Sequence, residues 1–223
     1  MSKDNTRTIE MYNNGGALEY INHKAIDPET DKWERLFKYV DTGLNGDRNK
    51  FIVEFGSGTG DLAKMLQDQS YDIVASDIVD DFLEEQQRMG INNVVKYNFL
   101  TDDFIKTFGK KADLIISWRN PHLNIEDVKK LFEVVYNGLN DDGLFIINFQ
   151  NALVHPDAEI ASDGTKYNYL ILKDKQTQEK RFYAYYTKED IDNFREGLFD
   201  IVEYHNEGGA EKLNWHVLTL KKK

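Results

Sequence analysis

Five short apolar runs alternate with amphipathic stretches through the middle of this 223-residue chain, and that alternation limits its fold more than any other feature. The runs are FIVEF (51–55), YDIVAS (71–76), NVVKY (93–97), DLIISW (113–118) and GLFIINF (143–149). The clearest intervening stretch is IEDVKKLFEVVYNGL (125–139). There Ile125, Val128, Phe132, Val135, Tyr136 and Leu139 recur at helical spacing, with charges on the other face. Residues 61–69 and 80–89 are shorter segments of the same kind. Strand and helix in steady alternation predict a parallel sheet covered by helices on both faces. Strands buried on both sides are almost continuously apolar, as these are. The crossovers of such a sheet are right-handed. Its ligands bind beyond the carboxyl ends of the strands, where strand order reverses, so the residues just after each run are the functional candidates.

The flanks read differently. Upstream, Trp33, Leu36, Phe37 and Val40 make one more apolar stripe. Downstream, KYNYLILKD (166–174) and KRFYAYYT (180–187) around a polar KQTQE link predict an antiparallel hairpin. TKEDIDNFREGL (187–198) predicts a helix with Thr187 as N-cap and Asp190 three residues on, a capping box with Asp in place of the preferred Glu or Gln. FDIVEY (199–204) and NWHVLTL (214–220) predict two final strands joined by the turn HNEGGAEK. With no repeat and no long linker, the chain reads as one domain: an N-terminal helical cap over 1–48, a core over 49–150, and a hairpin insertion with C-terminal strands over 151–223.

Composition excludes some functions. A net charge of -11 repels phosphate backbones and anionic lipids, which argues against general nucleic-acid or membrane binding. The absence of cysteine removes disulfides, thiolate nucleophiles and zinc–thiolate sites, and no metal site is expected. The N-terminus lacks the apolar core of a signal peptide, and no apolar run approaches a membrane span, so a cytoplasmic protein is expected.

The first run leads into GSGTG. Gly56, Gly58 and Gly60 therefore separate a strand from a helix, with Glu54 just before them and Asp61 just after. Alone, such glycines mean only a turn needing positive φ. The second run ends at Asp77, however, where a carboxylate accepts the hydroxyl hydrogens of a ribose; the other reading of Asp77 is an N-cap for the helix starting near Asp80. A dinucleotide would put its pyrophosphate at this helix N-terminus. The third glycine comes one residue early for GxGxxG, and Asp61 stands where a small residue belongs. Two carboxylates would also repel a pyrophosphate, at roughly 4 kcal/mol per pair for a separation of about 4 Å and an effective dielectric near 20. A ribose-bearing ligand with positive charge and no phosphate fits better, with Glu54 facing an ammonium or sulfonium and Asp61 complementing the helix dipole.

On these residues the chain resembles the class I S-adenosylmethionine-dependent methyltransferases of the small-molecule type. VEFGSGTG (53–60) is similar to their first motif, and Asp77 to their ribose-binding acid. YNFL (97–100) resembles the end of their third strand, with Asn98 replacing the usual Asp; an amide still accepts from the adenine amino group. ADLIISWRNPHLN (112–124) resembles the fourth strand and its loop, and GLNDDGLFIINF (138–149) the turn into the fifth. The resemblance implies a Rossmann-like α/β fold: a doubly wound, seven-stranded, mostly parallel sheet with one antiparallel strand, an N-terminal helical cap and a β-hairpin insertion. It implies S-adenosyl-L-methionine as cofactor, bound by Glu54, Gly56, Ser57, Gly58 and Gly60, by Asp77 and Ile78, by Asn98 and Phe99, and by Trp118. In many small-molecule members a tyrosine-bearing N-terminal segment folds over the cofactor. Tyr12 and Tyr20, either side of Gly15-Gly16, are the candidates here, against the reading of an ordinary capping helix.

Methyl transfer from a sulfonium is an in-line displacement that needs alignment, and a base when the nucleophile must lose a proton. His122 is the candidate base, against a surface or capping histidine. Trp118 reads as pocket wall or core, and Arg119 as anion binder or solvated side chain. The Asn120-Pro121 pair is similar to half of an Asn-Pro-Pro-Tyr motif, a coincidence on this reading. Tyr167, Tyr169, Tyr183, Tyr185 and Tyr186 of the hairpin roof a substrate pocket or form a half-buried sheet face. The expected function is methyl transfer to a small molecule. The alternatives are a protein or tRNA methyltransferase, an inactive S-adenosylmethionine-binding module and, last, a dehydrogenase. The acceptor and the oligomeric state are open.

Overall fold

The structure, a computed structural model, describes residues 2–26, 30–120, 122–154, 157–171, 180–207 and 214–223. Ten strands are present among them. They are β1 (Phe51–Phe55), β2 (Asp72–Asp77), β3 (Val94–Lys96), β4 (Ala112–Ser117), β5 (Leu139–Gln150), β6 (Glu159–Ile160), β7 (Lys166–Ile171), β8 (Lys180–Tyr185), β9 (Phe199–Glu207) and β10 (Trp215–Lys222). Seven of them form one sheet in the order β3-β2-β1-β4-β5-β10-β9. Only β10 runs against the rest, pairing antiparallel with both β5 and β9. This is the expected mostly parallel sheet, and its strand order reverses between β1 and β4. The other three strands form a small antiparallel sheet, β6-β7-β8. Its hairpin pairs Tyr167 with Ala184 and Tyr169 with Phe182. The KQTQE link and most of the HNEGGAEK turn lie outside the described residues.

The helices are α1 (Lys3–Met11), α2 (Ala17–Ile26), α3 (Thr30–Gly43), α4 (Asp61–Asp68), α5 (Asp80–Arg88), α6 (Phe104–Phe108), α7 (Ile125–Gly138) and α8 (Lys188–Arg195). They cover both faces because strand side chains alternate. Val53 and Phe55 of β1, with Ile115 of β4, enter one apolar layer beside Phe132, Phe145 and Phe199. Ile52, Leu114 and Ile116 enter the other, beside Leu36, Leu62 and Leu66. Each such side chain contributes about 1.5–3 kcal/mol on burial. The helical stripe of α7 buries Val128, Leu131, Phe132 and Val135. Asn124 caps this helix, its side chain accepting from Asp127 N at 2.9 Å. The capping box of α8 forms with Asp190: Thr187 Oγ1 accepts from Asp190 N at 3.1 Å, and the Asp190 carboxylate accepts from Thr187 N at 2.8 Å.

Two features depart from the sequence reading, while helix α1 falls within the expected N-terminal helical cap. The turn expected over NDDG is drawn into β5, which starts at Leu139. Pairing with β4 jumps from Ala112–Leu139 to Leu114–Leu144, a bulge in which Asp142 takes a φ of 62°. Helix α6 has only five residues, too few for apolar periodicity to reveal. Helix α1 is mostly polar and starts on a capping Ser2 whose Oγ accepts from Asn5 N at 3.2 Å.

Candidate active site

The parallel strands β2, β1 and β4 end side by side, so the loops after them converge on one crevice at the reversal point. The glycine turn there is stitched to its neighbours. Ser57 donates to Ser76 O through both its backbone N (2.9 Å) and its Oγ (3.0 Å). Gln86 of α5 donates to Ser57 Oγ at 3.0 Å and to Gly58 O at 2.7 Å. Gly56, Gly58 and Gly60 all have left-handed φ, of 63°, 54° and 80°. A Cβ on Gly60 would stand 2.5 Å from Ile91 Cδ1 and 2.8 Å from Gln86 Cγ. One on Gly56 would stand 2.5 Å from Asn120 Oδ1. One on Gly58 would meet nothing within 4 Å. Gly60 thus serves helix packing, while Gly58 leaves clear space in front of the turn.

That space belongs to a cavity of about 310 Å³, whose wall holds Glu54, Gly56, Ser57, Gly58 and Asp77 but not Gly60. Both carboxylates are buried, Glu54 at 3% exposure and Asp77 at 6%. The Asp77 carboxylate accepts three backbone N–H groups: Gly58 at 2.8 Å, Ile78 at 2.8 Å and Val79 at 3.0 Å. A carboxylate offers about four acceptor sites, so about one remains. Burial pushes the Asp77 carboxyl up from its ordinary value, against the pull of its three amide donors. The N-cap of α5 is Val79, without a side-chain cap, so Asp77 orders the approach to the helix rather than capping it. Past β2, Ile78 joins the cavity wall. Past β3, Asn98 and Phe99 do so too; Phe99 stacks on Phe55 with centroids 5.5 Å apart. Asn98 Oδ1 accepts from Leu100 N at 3.0 Å, so the oxygen expected to meet an adenine already fixes this loop.

At the other end of the cavity, Trp118 lies on the wall, 8% exposed, with no partner for its Nε1–H among the described residues. Arg119 follows with a φ of 56°, its backbone N donating to Asn148 Oδ1 at 2.7 Å. Asn120 bridges the reversal point, its Nδ2 donating to Phe55 O at 3.0 Å and Ser117 Oγ at 2.9 Å. His122 is 8% exposed and caps no described helix, which corrects the reading of it as a surface or capping residue. Its Nδ1 lies 2.7 Å from Phe182 O. A carbonyl only accepts, so Nδ1 carries a proton, and in the neutral form of the ring the lone pair would be on Nε2.

The N-terminal helices supply a roof. Gly15, with φ 97°, turns the chain between α1 and α2. Tyr12 packs on Phe82 at 5.4 Å and meets the His122 ring at 6.2 Å. Tyr20 meets Phe82 edge-on at 6.0 Å, and both tyrosines line the cavity. Of the five hairpin tyrosines only Tyr183 does so, 5.3 Å from the His122 ring. Tyr185 and Tyr186 are buried, and Tyr167 and Tyr169 pack against the core. Every expected site residue except Gly60 therefore borders one cavity. The sequence reading missed Gln150 and Trp215 as site residues, and Gln86 as the brace of the glycine turn, and took Trp33 only as part of an apolar stripe. None has a local signal; Trp33, Gln150 and Trp215 reach the cavity, and Gln86 the turn behind it, through tertiary packing.

Residues 53–145 match the family model described as a methyltransferase domain. No curated protein sequence matches the chain. Among solved structures, an S-adenosylmethionine-dependent methyltransferase from Clostridium acetobutylicum is 18% identical, covering 94% of this chain and 99% of its own with a TM-score of 0.67. Magnesium protoporphyrin IX methyltransferase from Synechocystis PCC 6803, with bound S-adenosylmethionine, is 13% identical over 100% of this chain and 99% of its own, with a TM-score of 0.72. The 1,6-didemethyltoxoflavin-N1-methyltransferase of Burkholderia thailandensis is 16% identical over 96% of this chain and 89% of its own, with a TM-score of 0.64. Residues 53–145 thus match a methyltransferase domain, and the seven-stranded sheet that holds them has the fold of these S-adenosylmethionine-dependent methyltransferase structures.

Proposed function

We propose that this protein methylates a small molecule held at the β4–β5 end of the cavity, with S-adenosylmethionine held at the β1–β2 end. One observation carries the reading: two buried carboxylates, Glu54 and Asp77, flank a glycine turn whose only open approach is at Gly58. That environment favours a cationic nucleoside and disfavours a diphosphate. When bound, S-adenosylmethionine supplies an electrophilic methyl carbon on a cationic sulfur. Asp77 would hold the ribose hydroxyls through its remaining acceptor site, and Ile78, Asn98 and Phe99 would line the base. Glu54, with Ser57 and the amides of the turn, would hold the charged amino-acid end, and Trp118 the edge nearest the acceptor. Tyr12 on Phe82 closes this part of the cavity from water. His122 Nε2 is the proton acceptor for a neutral oxygen or nitrogen nucleophile.

A small acceptor suits a cavity roofed by Tyr12, Tyr20 and Tyr183, and the acidic chain gives nucleic acid little to bind. Two of the similar structures are named for small-molecule acceptors, a porphyrin and a toxoflavin precursor. The cysteine-free composition suits the cytoplasm, and among the described residues no helix is long and apolar enough to cross a membrane. Calorimetric titration tests the cofactor assignment. S-adenosylhomocysteine is expected to bind with a Kd in the micromolar range, about 8 kcal/mol, and NAD not to bind. Tighter binding of NAD would overturn the reading.

A further inference from the structure

The cavity is chemically lopsided. Its β1–β2 end carries two buried carboxylates, whereas the end over β4, β5 and β10 carries Arg119 among aromatic rings. Arg119 sits one residue past Trp118 in a left-handed conformation that L side chains adopt at a cost, held by the bond from its N to the buried Asn148. This turn sets the guanidinium carbon 5.7 Å from the Trp215 ring centroid, on the wall shared with Trp33 and Tyr183. Burial disfavours the cation there. Tyr20 and Tyr183 offset this in part, and Glu207 contributes least. A second observation is independent of the arginine. Gln150, at the end of β5, is 2% exposed and lines the same cavity, and its Oε1 has no partner among the described residues. A buried amide oxygen without a donor is costly, so its place on a cavity wall marks a site for a ligand N–H or O–H.

Resting on the functional reading above, we infer that the acceptor is a planar aromatic acid: its anionic group pairs with Arg119, its ring lies between Trp33, Trp215 and Tyr183, and a ring hydroxyl or N–H donates to Gln150. The strand order supports this division. The glycine turn and Asp77 lie over β1 and β2, while Arg119, Gln150 and Trp215 lie over the successive neighbours β4, β5 and β10. The anion-binding group is thus displaced across the sheet from the cationic-nucleoside end. A planar guanidinium near an indole is also suited to a flat carboxylate-bearing ring. On a chain of net charge -11, a local cation is the means by which an anionic acceptor is retained.

The test is titration of protein saturated with S-adenosylhomocysteine, using benzoate, 4-hydroxybenzoate and indole-3-carboxylate, each against its primary amide. At least one acid should bind about tenfold or more tighter than its amide. Arg119→Gln should abolish that preference and leave the S-adenosylhomocysteine Kd within about twofold, and Gln150→Met should remove any advantage of 4-hydroxybenzoate over benzoate. The inference is overturned if no acid is preferred by the wild-type protein, a result that needs no variant to fold. It is also overturned if the preference survives Arg119→Gln. If Arg119→Gln weakens S-adenosylhomocysteine itself, Arg119 serves the carboxylate of that ligand and the acceptor site lies elsewhere. Failure of wild-type protein to bind S-adenosylhomocysteine would be the separate failure of the functional reading.

Discussion

The two ends of the cavity are built by different means. At the β1–β2 end, the walls come from residues close in sequence: Glu54, Gly56, Ser57 and Gly58 around the turn, and Asp77 and Ile78 at the end of β2; Gln86 braces the turn from behind. The contacts that fix this end are mostly to backbone, three of them to the Asp77 carboxylate. At the β4–β10 end, the walls are side chains gathered from distant parts of the chain: Trp33, Arg119, Gln150, Tyr183 and Trp215. Backbone geometry leaves little freedom, so the first end can take one kind of ligand. An aromatic wall from separate elements can be reshaped residue by residue without disturbing the sheet, so the second end can set the acceptor.

The sharpest way to break this contrast lies within the glycine turn. Gly60→Ala places a Cβ against Ile91 and Gln86 at a φ of 80°. Strain and overpacking together should cost about 2–5 kcal/mol in urea unfolding. Gly58→Ala meets nothing within 4 Å, so it should cost only about 1–2 kcal/mol for its left-handed φ. Its methyl enters the cavity, and S-adenosylhomocysteine affinity should fall at least about tenfold. A Gly58 variant that is less stable than the Gly60 variant and still binds normally would reverse the assigned roles.

Asp77→Asn comes next. It replaces a charged acceptor with an amide whose NH₂ must face a backbone N–H, and should cost about tenfold to hundredfold in S-adenosylhomocysteine affinity. The pH dependence has a definite sign. The folded carboxyl titrates above its ordinary value of 3.8, so it holds a proton over a window where the unfolded chain has lost it. Through that window this group lowers folding stability as pH rises. In the role proposed for Asp77, ribose binding needs the carboxylate, so affinity should rise with pH over the same window. A flat profile in wild-type protein, or an unchanged one in Asp77→Asn, would remove Asp77 from the ligand. A smaller loss is expected from Tyr12→Ala, which removes the ring packed on Phe82: about fivefold to tenfold in the same titration. Unchanged affinity would mean that Tyr12 covers nothing.

The same contrast decides how much was legible in the sequence. The parallel core shows itself because each strand is a contiguous apolar run and α7 a contiguous stripe. Glu54, the glycines and Asp77 show themselves because their spacing is local. Gly60 illustrates the limit: its φ follows from the motif, but whether its missing Cβ faces a ligand or Gln86 and Ile91 depends on how α5 and the residues after it pack against the turn. Gln86, Gln150 and Trp215 carry no periodic or motif signal, since an amide inside a helix or at a strand end is ambiguous until its neighbours are placed. The NDDG stretch misled for a related reason. Turn-forming residues also suit a bulge, and only the register against Ala112 and Leu114 separates the two.

The smallest expected effect probes how the roof is held. Ser2 is bound to Asp127 at the start of α7 through its Oγ at 2.7 Å and its N at 3.1 and 3.2 Å, and the same Oγ caps α1. Ser2→Ala keeps the backbone contact and loses both side-chain bonds, which should cost about 1 kcal/mol. If the roof opens locally, that cost falls on α1 rather than on the sheet. Amide exchange over residues 3–11 should quicken about fivefold while exchange in β1 and β4 is unchanged. Ligand affinity should then fall by less than in Tyr12→Ala, because the ring is still present and only its ordering has become more costly. If exchange quickens equally in β1 and β4, the roof and the sheet open as one unit, and the two ends of the cavity are not independent.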